Sequence, residues 1–69
     1  MTVYILKVGR IYKILARNEI MPAFYSLLKA YPLNKFNYEL TAYKLMDQHL
    51  KATTRINLNK IFSSIDKDN

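Results

Sequence analysis

Acid/base or nucleophilic catalysis needs at least two polar groups that converge and perturb one another's pKa. This chain of 69 residues offers a single histidine, His49, and no cysteine. Asp47 stands two residues before His49, a spacing that sends the two side chains to different sides of a helix. A metal centre wants several ligands on one face, so His49 reads as an exposed imidazole on a helix flank, and neither metal nor cofactor is expected. One glycine is too few for a Gly-rich phosphate loop. The composition points away from an enzyme and from a small-molecule substrate.

The residues whose type and spacing do suggest chemistry are cations. Lys7, Arg10, Lys13 and Arg17 lie three, three and four apart, and no acid precedes Glu19 to neutralise them. At helical pitch such a row meets successive phosphates and releases their counterions. Lys44, Lys51 and Arg55 form a second cationic group. Eleven Lys and Arg against five Asp and Glu give a formal charge of +6 and a pI near 9.7. A domain this basic attracts polyanions, of which nucleic acid is the commonest in a cell and an acidic protein surface the main alternative. Tyr25 and Tyr38 fall off the apolar stripes and are expected at the surface as partner contacts. Asp47 falls on an apolar stripe, where its carboxylate either pairs with Lys51 four residues on or meets a partner's cation.

The elements that would position these groups are read from periodicity. At 100° per residue Tyr4, Val8, Ile11, Tyr12 and Leu15 gather opposite the four cations, which predicts an amphipathic first helix. A β-hairpin over residues 2–17, turning at Gly9-Arg10, is the alternative; it suits the Val, Ile and Tyr content but leaves neither face cleanly apolar. Pro22 suits the first turn of a second helix carrying Phe24, Leu27, Leu28 and Tyr31, and Pro32 ends it. Asn34 or Asn37 would cap a third helix, running to about Ala52, with Phe36, Leu40, Tyr43, Met46 and Leu50 on one side. A fourth starts at Asn57, with Ile56 and Ile61 as a staple and Leu58, Ile61, Phe62 and Ile65 as its stripe. Acids near its end suggest that residues 66–69 fray from a single domain spanning 1–65.

With 51% hydrophobic and 13% aromatic residues the chain has material for a core. The longest apolar run, Val3 to Leu6, is far short of the ~20 residues that cross a bilayer. A basic first helix without Trp or Phe also disfavours membrane binding. The lack of cysteine suits a reducing cytoplasm. The stretches Tyr4-Ile5-Leu6-Lys7, Tyr31-Pro32-Leu33-Asn34 and Asp47-Gln48-His49-Leu50 resemble the small helical Hha/YmoA group of nucleoid-associated modulators over about a third of the chain, with Gln48 where that group has histidine. That resemblance implies a partner of H-NS type and a role in gene silencing.

The sequence thus predicts a mainly α fold, a compact bundle of three or four short helices, with α+β, the N-terminal hairpin packed on helices, as the alternative. The expected function is that of a small, basic, non-enzymatic DNA-binding or DNA-associated regulatory protein. The alternative is a protein-binding modulator or inhibitor of phage or plasmid type, docking an acidic surface or assembling as a homodimer.

Overall fold

The computed structural model describes residues 1–67 and shows a four-stranded antiparallel sheet backed by two helices. The elements are β1 (Thr2–Val8), β2 (Ile11–Leu15), a 3-10 turn (Arg17–Glu19), α1 (Ile20–Leu28), β3 (Tyr38–Met46), β4 (His49–Asn57) and α2 (Leu58–Lys67). Their order across the sheet is β2-β1-β3-β4. The helical bundle is therefore overturned. Residues 2–15 form the hairpin that the composition offered, over 2–17, as the alternative, and most of the stretch read as a third helix is a second, longer hairpin.

The local chemistry explains both turns. Gly9 sits at φ 57°, a conformation that costs an L side chain energy but glycine little, so the chain reverses there and Val8 pairs with Ile11. At the second hairpin Asp47 and Gln48 both take positive φ, 49° and 67°, as a two-residue type I′ turn requires. Neither is glycine, so the usual Asn-Gly or Asp-Gly signal is missing. One extra residue on β4, Thr53, interrupts the register between the Ala42–Thr54 and Tyr43–Ala52 pairs. Its hydroxyl donates to the Ala42 carbonyl at 3.3 Å, and such a bulge sharpens the twist of an edge strand.

Both helices pack on one face of the sheet. Leu6, Val8, Leu15, Phe24, Leu27 and Tyr38 are buried there, with Ile11, Leu40, Leu58 and Phe62 packed around them. Phe24 joins the layers: its ring meets Tyr38 edge-on at 5.1 Å and stacks with Phe62 at 5.3 Å. Burying a side chain of this size contributes roughly 2–3 kcal/mol. α1 carries Pro22 in its first turn, where the missing N–H is no loss, but it ends at Leu28, so Tyr31 lies beyond the helix that the sequence extends to Pro32. α2 begins after Asn57, whose side-chain oxygen accepts from the Lys60 N–H at 3.3 Å. Ile61, expected on its apolar stripe, is exposed instead.

One polar side chain fixes the connection between α1 and β3. Asn59 accepts from the Tyr38 N–H at 2.7 Å and donates to the Leu33 and Phe36 carbonyls at 2.9 and 2.7 Å. Tyr38 adds a hydrogen bond from its hydroxyl to the Tyr31 carbonyl. Tyr38 is fully buried, which corrects its placing as a surface partner contact. Burial, with Tyr31 nearby as a lesser cause, pushes its phenol above the ordinary tyrosine pKa. The expected fraying of 66–69 falls partly on Asp68 and Asn69, which lie outside the described residues; the backbone is helical through Lys67.

Candidate functional site

Strand alternation decides where the cations go. Lys13 pairs with Leu6, and Lys44 with both Thr2 and Lys51, so these three share the helix-bearing face. Lys7 and Arg55 belong to the opposite face, where no helix packs. Arg10 is in the turn between β1 and β2, and Arg17 opens the 3-10 turn. The single cationic stripe expected of Lys7, Arg10, Lys13 and Arg17 is thus corrected. In a strand a spacing of three alternates between faces, so cations that would line a helix are dealt to both sides of the sheet.

What the fold does bring together is Lys44 and Lys51, directly opposite one another on neighbouring strands. Like charges in that position destabilise a sheet. The nearest acid in sequence, Asp47, is in the turn two pairs further along, and its pairing with Lys51 on a helix is overturned with the helix. Among the described residues the ion pair present is Arg55 with Glu39, at 3.8 Å and largely exposed. The row next to the lysine pair, Tyr4-Ala42-Thr54, lines a groove of about 230 Å³ with Leu40 and Ile56. This groove and the two lysines beside it form the candidate site. At the other end of the sheet Lys7 shares a shallow depression with Lys35, Gly9, Phe36 and Glu39. Lys35 was not among the predicted cations, and its sequence position before Phe36 gives no sign of that proximity.

His49 stands beside Met46 at the hairpin end, and its Nδ1 lies 3.2 Å from the Asp47 carbonyl oxygen, with the ring exposed. Among the described residues no three His, Asp or Glu side chains gather as metal ligands would. Tyr25 is exposed on α1, as expected.

The bare face has a different character. It carries Leu45 and Leu50 as one pair, then Val3, Tyr43 and Ala52, then Ile14, Ile5, Thr41 and Arg55, and finally Tyr12, Lys7, Glu39 and Asn57. Ile14 is 67% exposed, Tyr12 65%, Leu50 54% and Leu45 49%. Sequence reasoning missed this surface because the first segment was read at the helical period, which separates residues that strand alternation and pairing bring to one face.

The segments that suggested a helical nucleoid-associated modulator lie in β1, in the loop after α1 and in the β3–β4 turn, so that resemblance does not extend to the fold. Among the described residues no helix is long and apolar enough to cross a membrane. No protein-family model, curated protein or solved structure matches this chain.

Proposed function

We propose that the chain is a small non-catalytic protein of the cytoplasm that binds DNA through its phosphates, with Lys44 and Lys51 at the centre of the contact. The observation that carries this reading is their direct opposition across β3 and β4, which costs stability in the free protein. A phosphate placed between the two ammonium groups removes that cost and releases condensed counterions. Tyr4 and Thr54, in the adjoining groove, add two hydroxyls near the lysines for sugar or phosphate oxygens. A formal charge of +6 supports encounter with any polyanion. The cations are spread too widely to read bases, so the contact is one of charge and not of sequence.

Fluorescence anisotropy of a labelled duplex, titrated with protein at several salt concentrations, tests this. Log affinity should fall linearly with log salt, and the double variant Lys44→Gln, Lys51→Gln should reduce the slope by roughly 2. The quadruple variant of Lys7, Arg10, Lys13 and Arg17 to Gln should lower the affinity less per charge removed, since those residues are dispersed. Absence of binding near physiological salt would defeat the reading and direct the search to an acidic protein surface.

A further inference from the structure

We infer that the bare face of the sheet is covered by a second copy of this chain, giving a twofold-symmetric dimer in which two sheets stack face to face. The first reason is charge. Lys7, Glu39 and Arg55, the charged residues of the face, lie in the two rows at one end of it, and the rows of Leu45 and Leu50 and of Val3, Tyr43 and Ala52 carry no charge. The other positions, apart from Asn57, are Val3, Ile5, Tyr12, Ile14, Thr41, Tyr43, Leu45, Leu50 and Ala52, and none is charged. A surface for DNA or for an acidic protein would hold its cations here. Uncharged apolar and aromatic residues with the charges confined to one margin are the pattern of homodimer interfaces.

The second reason is area. Four strands at ~4.8 Å spacing and four rows of side chains at ~6.6 Å define a patch of roughly 400–500 Å² on each copy, before the relief of the side chains is counted. Two copies therefore bury about 800–1,000 Å² before that relief is counted, the upper end of which is the threshold for a specific interface. Sheets stacked in this way lie ~10 Å apart with their strands within about 30° of one another, as in a β-sandwich.

Symmetry selects one arrangement. A twofold axis across the strands would press Leu45 and Leu50 of one copy onto Glu39 and Asn57 of the other. An axis along the strands reverses the strand order within each row, setting uncharged rows against one another, Lys7 against Glu39, and Ile14 against Arg55. It also makes each face its own complement, so no second kind of surface is needed. The outer, helix-bearing faces, with Lys44 and Lys51, remain free on both copies, so the dimer does not depend on the DNA-binding proposal.

Sedimentation velocity with light scattering on the full chain tests the inference. The expected mass is twice the 8.2 kDa of one chain. Ile14→Lys sets a lysine against Arg55 of the other copy twice in each dimer and should weaken association at least ~100-fold, giving the monomer mass at micromolar concentration with an unchanged circular dichroism spectrum. Should that variant fail to fold, Leu50→Glu, near the hairpin end, makes the same test. Tyr25→Glu, on α1, should leave the dimer intact. A monomer at all accessible concentrations overturns the proposal, as does a dimer that survives both face substitutions.

Discussion

Lys44→Glu should make this protein more stable and a poorer DNA binder at once. In the folded chain Lys44 and Lys51 are cross-strand partners. A directly opposed like-charge pair costs, and an opposite-charge pair contributes, roughly 0.2–1 kcal/mol. Both side chains are exposed, so screening holds the total swing to about 0.5–1 kcal/mol. For a domain of this size that raises the thermal midpoint by roughly 2–8 °C, readable by circular dichroism at low salt, and the gain should shrink as salt is added. In the anisotropy assay the same change removes one phosphate contact and adds a repulsion. The salt slope should fall by ~1 and the affinity near physiological salt by about 5–10-fold. Lys44→Gln should show roughly half of the stability gain, the same ~1 fall in slope and a smaller loss of affinity. A variant no more stable than the parent would show that the lysines splay apart without cost. An unchanged affinity would remove the pair from the binding surface.

Three further outcomes follow from the fold. Asn59→Ala removes three hydrogen bonds and leaves the buried Tyr38 N–H without its acceptor; urea unfolding should show a loss of about 2–4 kcal/mol. Tyr38→Phe removes the bond to the Tyr31 carbonyl and should cost about 1–1.5 kcal/mol below pH 10. Because the folded state holds the Tyr38 phenol above its unfolded pKa, this residue's contribution is complete below the unfolded value and is lost as pH rises through the folded one. The parent should therefore lose stability in that alkaline window by an amount the Phe variant does not show. Replacing Asp47-Gln48 with Asn-Gly suits the positive φ at both positions and should raise stability by about 0.5–1 kcal/mol in the same unfolding assay.

The readable parts of this fold were those where a proline or a cap fixes the backbone. Pro22 opens α1 and Asn57 starts α2, because each acts through local geometry that no distant partner alters, whereas α1 ends at Leu28, short of Pro32. The hairpins were misread for a common reason. β1 is a central strand with Leu6 and Val8 facing the helices and Val3 and Ile5 facing the other way. With apolar residues on both faces, the alternation that identifies a strand disappears, and the helical period fits the remainder by chance. In β3 and β4 the turn falls on Asp-Gln, two residues that carry no strong reversal signal, so Phe36 to Leu50 reads as one continuous stripe. The candidate site was legible only in part: Lys44 and Lys51 were named as cations, but their opposition depends on a pairing that the helix reading excludes.

The strand order also governs how the chain must assemble. β1 is the first element and lies between β2 and β3, so Thr2 waits for Lys44 before its outer partner exists. The β1–β2 hairpin can close by itself within microseconds, but an isolated two-stranded ribbon is only marginally stable in water. Until β3 is present, Leu6 and Val8 have a sheet neighbour on the β2 side only and lack complete helical cover. Contacts this distant in sequence raise the contact order and slow folding relative to a helical chain of equal length. Refolding should therefore be limited by the docking of β3 on β1, and that step sets how long the apolar edge of β1 stays open to other chains.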